Sequence, residues 1–126
     1  MTIFDSNVWI AFLYLADQQH SKAEKIFSLH QGAVVIPEYI IAEIVTVLTR
    51  KDAKSVADRF LEIVTDNKDV EILFCTDQFF MHLTNIFKTH HQHNLSFVDM
   101  MLLSLADSYH IVTFDKALQQ SIIERS

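Results

Sequence analysis

Four short apolar runs alternate along this chain with longer stretches whose apolar residues recur every three or four positions. The runs are Thr2 to Phe4, Ala33 to Ile36, Val70 to Cys75 and Ile111 to Phe114. The second, Ala33-Val34-Val35-Ile36, is β-branched and apolar on both faces, as expected of a strand inside a covered parallel sheet. Pro37 stops it.

The stretches between them read as helices. Val8 to Leu15 is apolar nearly all round, including Trp9, Phe12 and Tyr14, so it is either buried on two sides or part of a contact between subunits. Ser21 to His30 has Ala23, Ile26, Phe27 and Leu29 on its inner side, with Gly32 to end it. Glu38 to Arg50 carries a stripe of Ile40, Ile41, Ile44, Val47 and Leu48, and Asp52 to Asp66 turns Val56, Phe60 and Ile63 inward. Asp77 to Thr89 is helical and aromatic-rich, His90 to Asn94 is a polar loop, Ser96 opens another helix, and a short final helix starts from Asp115. This alternation predicts one α/β domain over residues 1–126 with a parallel sheet of four strands.

Composition narrows the class. Half of the residues are apolar and about a fifth charged, which excludes a disordered chain. A single Gly and a single Pro leave little punctuation for hairpins, so an all-β fold is excluded as well. Cys75 is the only cysteine; it can form no disulfide within the chain and reads as a buried thiol. No basic leader precedes an apolar stretch, and Val8 to Ala16 falls far short of the roughly 20 residues that span a bilayer. The expectation is a soluble cytoplasmic protein. Its net charge of −6 is opposite to that of most nucleic-acid binders, although Arg50, Lys51, Lys54 and Arg59 form one basic cluster and Lys22 with Lys25 a smaller one.

Four acids carry the candidate chemistry: Asp5, Glu43, Asp99 and Asp115. Each also has an ordinary structural role open to it. Asp5 and Asp115 follow strands and precede helices, as N-caps do; Asp99 lies three residues after Ser96 in a capping-box pattern; Glu43 borders the apolar stripe between Ile40 and Val47. Together they say more. In open α/β sheets the ligand crevice lies beyond the carboxyl ends of the strands, and all four acids fall at or near that edge. Carboxylates gathered in one poorly solvated pocket repel each other, and the residues beside them supply no obvious counter-charge. A hard divalent cation, Mg²⁺ or Mn²⁺, suits such oxygens and would suit phosphodiester hydrolysis. Ser6, Asn7 and Thr113 stand at the same edge and are candidates to orient the acids.

The chain resembles PIN domains, in particular the small VapC-type ribonuclease toxins of toxin–antitoxin pairs. The resemblance rests on Phe4-Asp5-Ser6-Asn7, Ala42-Glu43, Ser96-Phe97-Val98-Asp99 and Thr113-Phe114-Asp115, in that order. It implies a PIN-like three-layer fold with a central parallel sheet flanked by helices. It further implies a Mg²⁺- or Mn²⁺-dependent endoribonuclease with metal held by Asp5, Glu43, Asp99 and Asp115 and supported by Ser6, Asn7 and Thr113. The implied substrate is structured RNA such as tRNA or rRNA, and the implied partners are a second copy and a cognate antitoxin, with no membrane. Two departures stand out: Ile122-Ile123 leaves room for at most a very short fifth strand, and Phe114 occupies a position where relatives often carry Arg or Asn.

Other readings stay open at this level. A haloacid-dehalogenase-type phosphatase would want Asp where Asn7 stands, and a receiver domain would want a phosphorylatable Asp near Cys75 and Thr76. A catalytically inactive PIN-like module that binds RNA or protein would keep the same residues. His90, His91 and His93 crowd together, but one polar loop is a poor zinc site compared with ligands from two segments.

Overall fold

The computed structural model describes residues 1–90 and 94–125. His91, Gln92 and His93, part of the expected loop and of the histidine cluster, lie outside them. Eleven elements follow one another: β1 (Thr2–Phe4), α1 (Ser6–Leu13), α2 (His20–Leu29), β2 (Val34–Pro37), α3 (Glu38–Arg50), α4 (Lys54–Asp66), β3 (Val70–Leu73), α5 (Asp77–Thr89), α6 (Phe97–Leu105), β4 (His110–Val112) and α7 (Lys116–Glu124). The strands form one sheet in the order β3-β2-β1-β4, with every pairing parallel. This is the expected three-layer α/β architecture. Among the described residues there are four strands, because Ile122 and Ile123 belong to α7.

Topology decides where the site can be. The chain steps from β1 to β2 to β3 through α1 to α4, then returns across the sheet through α5 and α6 to β4. Right-handed crossovers put the first set of helices on one face and the returning pair on the other. Consistent with that, α1 packs on α2 and α3, and α3 on α4, whereas α5 packs on α6 and α6 on α7. Strand order reverses between β1 and β4, so a crevice opens there at the carboxyl ends.

Where the strands end differs from expectation, and pairing explains it. β3 stops at Leu73 rather than Cys75 because its partner β2 ends at Pro37, which is in register with Leu73. Cys75 is consequently half-buried, and its backbone N–H donates to the Glu38 carboxylate. β4 stops at Val112 rather than Phe114 because β1 has only three residues, matched Thr2 to His110, Ile3 to Ile111 and Phe4 to Val112. Asp5 N–H closes the ladder on the Val112 carbonyl at 2.8 Å. Thr113 therefore leaves the sheet just where the helices begin.

Three helix assignments shift as well. Asp52 has φ +58°, a left-handed conformation incompatible with a helix interior, so α4 starts at Lys54 rather than Asp52. Its buried face is Ala57, Phe60 and Val64, and Ile63 is turned outward. α1 ends at Leu13, leaving Leu15 81% exposed. Leu29 is likewise exposed; the chain leaves α2 extended at His30, whose ring stands nearly perpendicular to that of Phe4 with centroids 5.2 Å apart.

The core is built on the middle of the sheet, where Ile3, Phe4, Val35 and Ile36 are buried, with Ile40, Ile44 and Leu48 of α3 on one side and Leu102 of α6 and Leu118 of α7 completing it. Burial on α4 makes a direct test. Phe60→Ala is expected to lower the unfolding free energy by about 3–5 kcal/mol, and Ile63→Ala by no more than about 0.5 kcal/mol. Urea unfolding of both variants checks this, and comparable losses would contradict the assigned face.

Candidate active site

Asp5 stands at the carboxyl end of β1, beside the reversal of strand order, and is only 4% exposed. It is also the N-cap of α1, so local chain geometry orients it before any ligand does: its Oδ1 accepts the Ser6 N–H at 2.7 Å. Its other oxygen, Oδ2, accepts the Thr113 hydroxyl at 2.7 Å and lies 3.4 Å from Asn7 Nδ2. A residue more than a hundred positions away in sequence thus holds the first acid in place.

Ser6 joins the second acid to the first. Its hydroxyl donates to Glu43 Oε1 and lies 3.5 Å from Asp5 Oδ1. Glu43 lies in the second turn of α3, a helix that leaves β2 and therefore begins at the carboxyl rim of the sheet. Asp99 reaches the same rim by the opposite logic: α6 leads into β4, runs against it, and so starts where β4 ends. In the first turn of α6 the capping box is complete, with Ser96 N–H donating to Asp99 Oδ2 at 3.0 Å and Asp99 N–H to Ser96 Oγ at 3.1 Å.

Asp115 is attached through its backbone. Its N–H donates to Thr113 Oγ1 at 3.1 Å, while its Oδ1 caps α7 by accepting the Leu118 N–H at 3.0 Å. One hydroxyl, that of Thr113, thus accepts a hydrogen bond from Asp115 N–H and donates one to Asp5. Asn7 braces the turn from the other side, its Oδ1 accepting the Phe114 N–H at 3.1 Å and its Nδ2 lying 3.3 Å from Thr113 Oγ1.

The electrostatics follow from burial. The carboxyl of Asp5 is pushed up from its ordinary value of 3.8, chiefly by desolvation; hydrogen bonds from Thr113 and Ser6 oppose this, and the charges of Asp99 and Glu43 add to it. The ion pairs among the described residues are His20–Glu24, Lys54–Asp58 and Arg125–Asp107, none of which involves the four acids. Nor do three His, Cys, Asp or Glu side chains among them converge into a finished metal cage. Yet Glu43 Oε2, Asp99 Oδ1 and Asp115 Oδ2 have no protein partner among the described residues, and carboxylate oxygens are the donors a hard divalent cation prefers.

Glu43 and Asp99 are thus each brought within electrostatic reach of Asp5, and Ser6, Asn7 and Thr113 all bond within the cluster. Gln119 is a member that sequence reading missed: its Nε2 donates to the Thr113 carbonyl at 2.6 Å. Its position one helical turn after Asp115 is the only signal that pointed to it. No helix among the described residues is long and apolar enough to cross a membrane.

Two outcomes follow from this network. A carboxyl whose pKa is raised by the fold costs no stability below its ordinary value, and the cost grows as pH climbs through the elevated folded value. Relative to Asp5→Asn, metal-free wild-type protein is expected to lose stability as pH rises from about 4 toward neutrality; urea midpoints in chelator test this, and parallel curves would refute it. Thr113→Val, which keeps the shape and removes the hydroxyl, is expected to cost about 1.5–3 kcal/mol, and an unchanged midpoint would show that the hydroxyl is not a structural link.

The sequence matches the family model of the PIN domain over residues 2–121. Among curated proteins none matches it significantly. The fold is shared with the crystal structure of VapC20 from Mycobacterium tuberculosis, a sarcin–ricin-loop-cleaving toxin, with a TM-score of 0.85, 17% identical residues, and 96% of this chain and 95% of that one covered. At that identity the likeness is one of fold, and it agrees with the family match along nearly the whole length: this chain belongs to the PIN domain family.

Proposed function

We propose that the protein is a metal-dependent endoribonuclease and the toxin of a toxin–antitoxin pair. The observation that carries this reading is the Asp5 carboxyl, bridged to Glu43 by Ser6, with its pKa raised chiefly by burial and further by the charges of Asp99 and Glu43, and left without a cationic partner among the described residues at the crevice of the sheet. PIN nucleases generally use divalent metal ions. Asp5, Glu43, Asp99 and Asp115 would hold Mg²⁺ or Mn²⁺, which supplies charge neutralisation at a phosphate and a lowered pKa for a bound water. The residues of the chain do the rest. Ser6 and Thr113 keep Asp5 oriented, Asn7 fixes the turn that carries Asp115, and burial keeps bulk water away from Asp5.

The substrate is structured RNA, rRNA or tRNA, a reading supported by the sarcin–ricin-loop cleavage named for VapC20. A second copy of the chain and an antitoxin are the expected protein partners. Wild-type protein with Mn²⁺ should cleave RNA, and Asp5→Asn should lose about 100-fold or more in rate; equal rates would refute the assigned chemistry. Independently of activity, Mn²⁺ at a hundredfold excess over Kd should raise the Tm by about 10 °C, equivalent to about 2.7 kcal/mol. Asp99→Asn should blunt that rise, and a wild-type Tm indifferent to Mn²⁺ would count against the site.

A further inference from the structure

Lys22 is exposed in the first turn of α2, and its ammonium nitrogen stands 4.9 Å from the centroid of the Phe114 ring. Phe114 is half-buried next to Asp115 and gives its N–H to Asn7 Oδ1 at 3.1 Å, while Asn7 Nδ2 lies 3.4 Å from Asp5 Oδ2. The ring thereby ties the Lys22 ammonium to the residue that immediately precedes Asp115. A contact of this kind at an exposed site is enough to bias where the side chain points. It leaves the charge and the three N–H donors available, which a carboxylate partner would not.

Among the described residues Lys22 has no such partner, whereas Lys54 is paired with Asp58 and Arg125 with Asp107. Lys51 has a similar seat, 5.2 Å from the Tyr14 ring, but Tyr14 is the C-cap of α1, at the opposite end of that helix from Asp5. Resting on the ribonuclease reading above, the need for such a cation is plain: a strand carrying one charge per phosphate must enter a carboxylate pocket on a protein of net charge −6. We propose that Lys22, aimed by Phe114, receives a phosphate of the RNA strand beside the one that is cut and holds the strand in register over the acids. Lys22 is a positioning residue, not one that touches the reacting atoms.

The test is the salt dependence of binding. A fluorescein-labelled sarcin–ricin-loop RNA hairpin is titrated in chelator with wild type, Lys22→Gln, Lys22→Arg and Lys25→Gln over a range of KCl concentrations, with anisotropy giving Kd, and cleavage in Mn²⁺ is followed separately. Lys22→Gln is expected to weaken binding about 5- to 10-fold at low salt and to flatten the slope of log Kd against log salt by about 0.7–0.9. Lys22→Arg keeps the wild-type slope. Lys25→Gln, the same charge change on the same helix, leaves it unaltered. Phe114→Leu weakens binding by a smaller factor. An unchanged slope in Lys22→Gln, or an equal loss in Lys25→Gln, overturns the assignment and leaves the ribonuclease reading standing. RNA that wild type neither binds nor cuts overturns both.

Discussion

The interaction on which the rest depends is the solvation of one buried carboxylate by the protein's own donors. Asp5 has lost nearly all its water and receives instead the Ser6 N–H, the Thr113 hydroxyl and a longer contact from Asn7. Two of these donors come from the start of α1 and one from the segment after β4, so the arrangement holds only if β1 and β4 pair in the observed register. A slip of one residue would turn Thr113 to the other face and leave a buried charge short of one of its three donors. The three residues of β1 thereby couple the correctness of the sheet to the integrity of the site.

Capping a helix does not use up a carboxylate. Asp99 and Asp115 each spend one oxygen on the first turn of a helix and keep the second free of protein partners among the described residues. A cap needs a single acceptor, and it fixes the rotamer of the group that provides it. The free oxygen is then aimed without further ordering cost. Glu43 lies mid-helix, where no cap can hold it, and there Ser6 supplies the restraint.

Charge at the rim is arranged differently from charge in the pocket. Among the described residues the acids are left uncompensated by lysine or arginine, while Lys54 is paired with Asp58 and Lys22 is seated on an aromatic face. An ion pair inside the pocket would hold the acids together at the expense of the site's capacity for a cation. Repulsion between Asp5, Glu43 and Asp99 is the corresponding cost, carried by the well-packed centre of the sheet beneath them.

Much of this was legible in the sequence. The alternation of short apolar runs with helical stripes determined the α/β class, and the placement of Asp5, Glu43, Asp99 and Asp115 just beyond strands or early in helices determined that they share one edge. Periodicity records which residues seek burial, and that information is local. It could not tell that β3 stops at Leu73 because β2 stops at Pro37, that Thr113 leaves the sheet because β1 has run out, or that α4 buries Val64 and exposes Ile63. Nor could it join Gln119 to Thr113, or set Lys22 over Phe114. A strand's end and a helix's rotation are set by the partner that pairs or packs against it, and that partner is chosen only when the whole chain has folded.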